Sequence, residues 1–575
     1  MENRAAGGYT GKKRKVCSAL KTLYKDAWVL NVYTRAFEKT DLLTEDSRIL
    51  AVGNDLDQEA ERICELAGTW IIPGLLDAHM HVESTMMTPA WLSEALLQHG
   101  TTGIVADPHE IANVLGTGGI QGMMDQAADA DLDIWWTLPS CVPSSPMEAG
   151  ARRLQAADLK PFWQEPSVIG LGEVMNVPGV LCREPDLMEK IRDGLQAGKR
   201  INGHAPGVTG RNLDVYAATG ITDDHECSSL EEGMDRIRRG MTVLIREGSA
   251  ARNLEALMGL FQDPWCRRSL LCTDDRHPAD LQAQGHIDHV IRKAISLGAD
   301  PVTAICMATV QTAEYYGLRN KGALAPGKDA DFVVLSDLDT FAIHSVYKNG
   351  KQVRPGETEG HPAFLKTARN TVHLDPAVPS RFALPGEGKQ RLRAIQWPVG
   401  TLVTEEAICE ADPRNLPENL AKAAVLERHR GTGLAFTGLI KGSGLVRGAV
   451  ASTVGHDAHN LLVMGKDDRD MALAANTLRE IGGGLCTVLD GRVLAVVPLP
   501  VAGLMAEESL ENLAQRETEL KASLRALGAD PAGDFFMTLS FLSLPVIPHL
   551  KLTAHGLFDV DENRIVPLQA DLSDA

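Results

Sequence analysis

Between Ile71 and about residue 319, short apolar runs alternate with helical stretches eight times, and few folds accommodate that rhythm. The strand candidates are Gly74–His79, Gly103–Asp107, Asp133–Pro139, Ser167–Val174, Arg200–His204, Gly220–His225, Met241–Arg246 and Ser269–Asp274. Helix-like stretches lie between them, among them Pro89–Gln98, Asp186–Ala197, Leu230–Arg239 and Ala250–Phe261. Eight strand-then-helix units in about 250 residues is the size of an α/β TIM barrel. A doubly wound open sheet is the competing arrangement, but no GxGxxG or GxxxxGK[ST] opens any of the helices.

A barrel of this kind carries its chemistry at the C-terminal ends of the strands. Strand one ends in Asp77-Ala78-His79-Met80-His81. Residues two apart on a strand face the same way, so His79 and His81 aim two imidazoles at one point. A lone HxH does not make a metal site, but the other strand ends repeat the theme. Strand two ends in Asp107-Pro108-His109-Glu110, strand four near Glu173, and strand five at His204. Strand six closes on Asp223-Asp224-His225-Glu226, strand seven on Arg246-Glu247, and strand eight on Asp274-Asp275-Arg276. Only strand three ends without a polar side chain. Seven polar ends of eight exceed what capping requires.

These residues can be placed by role. His79 and His81 are expected to ligate one divalent metal, His204 and His225 a second, and Glu173 to bridge the two through its carboxylate oxygens. Asp274 can touch one metal and hold a proton. Paired divalent ions ~4 Å apart turn water into hydroxide near neutral pH. Asp274 would accept its proton and return it to the leaving group. Such chemistry hydrolyses a cyclic amide, or an exocyclic amine on a heterocycle.

The rest of the chain frames this unit. At 575 residues it exceeds a single core, so two or three domains are expected. Residues 1–20 read as a disordered tail whose Lys12-Lys13-Arg14-Lys15 run is solvated. Short strand-like pieces follow at Trp28–Val32, Ala36–Glu38, Asp41–Leu43 and Arg48–Val52. The same texture returns at Asp331–Leu335 and Ala342–Tyr347, with an Asn349-Gly350 turn. Residues 21–70 with 320–380 are therefore expected to form one small composite β domain around a barrel at 71–319. A third region, 381–575, mixes Ala/Leu-rich helices (Met471–Ile481, Ser509–Leu527) with strands (Leu461–Met464, Gly484–Leu489, Val493–Leu499). Its run from Ser452 to Asn460 holds His456-Asp457-Ala458-His459, which alone reads as a solvated loop.

Net charge narrows the partners: −19 argues against nucleic acid or an anionic membrane surface. Ten scattered cysteines without a CxxC pair fit a reducing compartment. With no apolar run long enough to span a bilayer, a cytoplasmic protein is expected.

The barrel resembles the amidohydrolase superfamily, and the chain as a whole resembles the adenine deaminase family of bacteria and archaea. The similarity runs through PGLLDAHMHVES, HGTTGIVADPHEIANVLG (His99–Gly116), GLGEVMN around Glu173, NGHAPG around His204 and DDHEC around His225. It continues through REGSAARNLEAL (Arg246–Leu257), CTDDRHPADL from Cys272, KGSGLVRGAVASTVGHDAHN (Lys441–Asn460) and FMTLSFLSLPVIPHLKLT (Phe536–Thr553). HxH belongs to the whole superfamily, whereas DPHEIANV and the third region are specific to this family. Two departures are small: Met307–Thr312 lacks the usual Asn-Pro after the barrel, and the N-terminal twenty residues have no counterpart.

The resemblance implies hydrolytic deamination of adenine to hypoxanthine and ammonia, within purine salvage. It carries over His79, His81, Glu173, His204, His225 and Asp274 as ligands, with Glu173 standing where many relatives carry a carboxylated lysine. It implies Mn²⁺ or Fe²⁺, and Zn²⁺ suits the same donors. The acid that protonates N1 as C6 is attacked would come from Asp107, His109 or Glu110, or from His456 or His459. We further expect His456, Asp457 and His459 to close over the barrel mouth, from the same chain or from a neighbour in a homo-oligomer. The HxE and PCxxC signature of zinc deaminases acting on nucleic acid is absent, which favours a free base. Two alternatives remain: another binuclear amidohydrolase opening a cyclic amide or imide, and a non-catalytic scaffold on the same fold.

Overall fold

The computed structural model describes residues 20–354, 363–399, 403–530 and 534–570. Apart from Leu20, the tail expected over residues 1–20 lies outside the described residues.

The barrel strands are Leu75–Met80, Thr101–Ala106, Asp133–Leu138, Val168–Val174, Arg200–Gly203, Asp223–Asp224, Thr242–Arg246 and Ser269–Cys272, all parallel to their neighbours. Strands one to five form one sheet and strands six to eight another. Backbone bonds close the ring at both seams. On one side the Thr222 N–H donates to the Ile201 carbonyl (2.9 Å). On the other, Asp274 N–H donates to His79 (3.1 Å) and His81 N–H to Asp274 (2.9 Å). Asp274 has φ +60°, so strand eight kinks as it delivers its carboxylate. Under this seam the buried Asp77 carboxylate accepts the His79 N–H (3.0 Å) and the Thr273 hydroxyl (2.6 Å), tying strand one to strand eight.

The helices at Pro89–Gln98, Pro185–Gln196 and Leu230–Arg238 stand within a residue of where the sequence places them. The helix expected over Ala250–Phe261 is a correction: only a 3₁₀ turn, Met258–Phe261, forms there. Upstream the chain folds back on strand seven. Arg252 bridges to Glu247, Asn253 N–H donates to the Arg246 carbonyl (3.1 Å), and the Asn253 side chain accepts from Arg246 Nε (2.8 Å). The two strands expected at Ala36–Glu38 and Asp41–Leu43 are one, Ala36–Glu45, because pairing with Lys21–Asn31 continues across the polar residues between them.

Segments before and after the barrel share one sheet. Trp70–Pro73 pairs with Phe332–Asp337, which continues to Ala342–Lys348 and Lys351–Gln352. Beyond it, eight strands form a second large sheet, in which Ala449–Ser452 and Leu461–Gly465 pair antiparallel. The 452–460 loop joins these two strands. Helix Leu510–Leu527 packs between this sheet and the barrel helix Pro278–Gln284. There Glu517 accepts the Ala279 N–H (2.8 Å), and His277 lies 3.0 Å from Asp534.

Candidate active site

The strand ends converge on one carboxylate. Glu173 Oε1 lies 2.8 Å from His81 Nε2 and 3.2 Å from His79 Nε2. Its Oε2 lies 2.8 Å from His204 Nδ1 and 3.4 Å from His225 Nε2. Asp274 Oδ1 is 3.3 Å from Nε2 of both His79 and His81. The structure thus gathers the six residues expected as ligands into one group, of which only His204 is more than marginally exposed.

The electrostatics are those of a centre made for cations. Burial alone would raise the Glu173 pKa, but His225 and His81 hold it well below the ordinary carboxylate range. Burial works against charging His81, yet the Glu173 and Asp274 carboxylates hold that imidazole well above its usual value. Among the described residues, buried His79 Nε2, His225 Nε2 and Glu173 Oε1 make no well-aligned hydrogen bond despite these short separations, although such atoms are costly to leave unpaired. Imidazole and carboxylate donors with orphaned lone pairs fit divalent transition metals.

Two neighbours of this centre carry roles that strand-end reading did not assign. Glu226 approaches His204 (3.5 Å) and His225 (3.4 Å), but Arg246 grips both of its oxygens, Nη2 to Oε2 at 2.9 Å. Arg246 Nη1 also donates to Asp274 Oδ2 (2.9 Å). One buried guanidinium therefore orients both carboxylates. Both residues stand at polar strand ends, and that was their only sequence signal.

Beside Glu173 lies a second polar patch. Gly172 leaves room for the Asp107 carboxylate, which a Cβ there would strike, and Asp107 Oδ2 accepts the Glu173 N–H (3.1 Å). His109 stands 3.9 Å from Glu173 and 3.4 Å from Glu110. From the far end of the chain, His456 Nδ1 meets Glu110 Oε1 at 2.5 Å, and His459 Nε2 meets its other oxygen. The 452–460 run, readable alone as a solvated loop, is buried here: His456 is 5% and His459 1% exposed. Burial pushes the Glu110 pKa up, but His456 and His459 hold it well below the ordinary value. For Asp457 burial prevails and raises the pKa to about 6, and its Oδ2 has no hydrogen-bond partner among the described residues. Arg428, completely buried, organises this loop by donating to the His459 carbonyl and to Ala502 O (2.9 Å).

A closed parallel barrel with this cluster at its strand ends is that of a metal-dependent amidohydrolase, and residues 70–353 match the amidohydrolase family. Residues 400–564 match the adenine deaminase C-terminal domain. Adenine deaminase of Nitratidesulfovibrio vulgaris strain DP4 is 43% identical over 551 residues, 93% of this chain and 94% of that one. Adenine deaminase 2 of Carboxydothermus hydrogenoformans is 41% identical, covering 95% and 96% of the two chains. That of Desulfatibacillum aliphaticivorans is 39% identical, with coverage of 95% and 96%. This chain belongs to the adenine deaminase family. Among solved structures, dihydropyrimidinase from Brevibacillus agri covers 60% of this chain and 97% of its own with a TM-score of 0.47 and 15% identity, too remote to bear on the site.

Proposed function

We propose that this protein hydrolyses free adenine to hypoxanthine and ammonia, a purine-salvage reaction in the cytoplasm. One observation carries the reading beyond amidohydrolases in general. The region that matches the adenine deaminase C-terminal domain brings His456 and His459 onto Glu110, beside the ligand group. The net charge of −19 agrees with a small-molecule substrate rather than nucleic acid. Among the described residues, no helix is long and apolar enough to cross a membrane.

His79, His81 and Asp274 would hold one divalent ion and His204 and His225 the other, with Glu173 between them; Mn²⁺ or Fe²⁺ suits these donors, as does Zn²⁺. When bound, the pair supplies activated water at neutral pH and polarises the carbon under attack. Asp274, oriented by Arg246, takes the proton released as C6 is attacked and passes it to the departing amine. N1 is protonated from the patch of Asp107, His109, Glu110, His456, Asp457 and His459. Glu110 is held as an anion by its imidazoles. Asp457, whose pKa burial raises to about 6 and whose Oδ2 has no hydrogen-bond partner among the described residues, is the better proton carrier of the two carboxyls. The buried 456–459 loop excludes water from the reacting face.

Metal-loaded protein offered adenine, adenosine, hydantoin and dihydroorotate tests the reading. Adenine should disappear with one ammonia released per molecule. Ring opening of hydantoin or dihydroorotate without ammonia from adenine would assign another amidohydrolase activity, and inertness to all four would support the scaffold reading.

A further inference from the structure

Strand three, the one barrel strand without a polar end, supplies a long loop over residues 139–155. Its base is fixed to the barrel. The Ser140 hydroxyl donates to the Glu173 carbonyl, and buried Lys190 donates to the carbonyls of Ser140 (2.9 Å) and Leu154 (2.7 Å). Its tip reaches the C-terminal region. Glu148 Oε1 accepts two consecutive backbone N–H groups, Asp457 (3.2 Å) and Ala458 (3.1 Å), while Oε2 accepts the Ser144 hydroxyl (2.6 Å). Asn460 adds a bond to the Ala149 carbonyl (3.4 Å). Successive N–H groups converging on one oxygen form an anion nest. Here the acceptor oxygen comes from the barrel and the nest from the loop that carries His456 and His459.

We propose that Glu148 is a positioning residue: by filling this nest it holds the 456–460 loop in the register that sets His456 and His459 against Glu110. It acts through the loop: among the described residues it makes no hydrogen bond or ion pair to the ligand group. Without its carboxylate, two buried backbone donors lose their acceptor, and the loop must move to satisfy them. Displacement of about 1 Å at a reacting face costs on the order of 10²-fold in rate. The inference rests on adenine deamination for its kinetic consequence, but not for its structural one.

The test compares Glu148→Ala with Glu148→Gln in the metal-loaded enzyme. The glutamine oxygen can accept the same two N–H groups while its amide donates to Ser144. Glu148→Ala should lower kcat/KM for adenine by about 10²-fold with metal content unchanged. Glu148→Gln should stay close to the parent. Amide hydrogen exchange over residues 457–460 should quicken in the alanine variant alone. In a background carrying both His456→Ala and His459→Ala, Glu148→Ala should cost little more, because it acts through these two imidazoles. Unchanged exchange at 457–460 in Glu148→Ala, damage in Glu148→Gln equal to that in alanine, or a full additional loss in the double-alanine background would each overturn the proposal. Faster exchange in Glu148→Ala of a parent that does not touch adenine would support the latch and sink the functional reading instead.

Discussion

Replacing Asp274 by Asn tests the proton path most directly. One oxygen of Asp274 faces the His79 and His81 Nε2 atoms at 3.3 Å, and the other accepts Arg246 Nη1 at 2.9 Å. An asparagine cannot serve both sides. Either its amide meets the guanidinium, donor against donor, or it faces the imidazole pair and removes an oxygen from the ligand group. Losing the charge-assisted bond to Arg246 costs about 1.5–3 kcal/mol of ground-state order. Losing a positioned acid–base group raises the barrier by about 2.7–5.4 kcal/mol, or 10²- to 10⁴-fold in rate. We therefore expect kcat for adenine to fall by about 10²-fold or more, while KM stays within a few-fold. The assay is steady-state ammonia release, with metal content determined on each preparation so that lost metal is not mistaken for lost proton transfer. A loss confined to KM would make Asp274 a substrate-binding group and refute the role.

On the proposed assignment, Glu173→Gln keeps the shape but removes the charge that would balance two dications, so metal content should drop from about two ions per chain and activity with it; a variant with both metals and normal turnover would place the bridge elsewhere. His277 offers a stability test at the interface with helix Leu510–Leu527. Burial alone would lower its pKa, but Asp534 and Glu517 outweigh that and push it up to about 10, from an ordinary 6.5. Its charged form therefore contributes stability that is fully present below pH 6.5 and lost as pH rises through about 10. Urea unfolding at several pH values should show this decline, and His277→Asn should flatten it while costing about 3 kcal/mol near neutral pH; a parent that gains stability over that range would refute the ion pair.

Local patterning was enough to place most barrel strands and to pick out the six residues that the structure brings together at their ends. Strand periodicity puts His79 and His81 on one face, and a barrel must present its strand ends at one rim, so His204, His225, Glu173 and Asp274 share a neighbourhood once the eight strands are read. The same local logic failed at Ala250–Phe261. There, side chains that could form a helix are held as a turn by Asn253 returning to Arg246, a partner on another element.

What the amino-acid order determined by itself was thus the repeating unit, the rim, and the donor types on it, since each follows from periods of two to four residues. Only the tertiary structure decided that Arg246 joins Glu226 to Asp274, that His456 and His459 turn inward onto Glu110, and that Glu148 meets the backbone of Asp457, 309 residues away. Those contacts join a barrel to a separately formed sheet. A buried charge finds its partner through packing of whole elements, and no local period along the chain encodes which carboxylate a distant imidazole will meet.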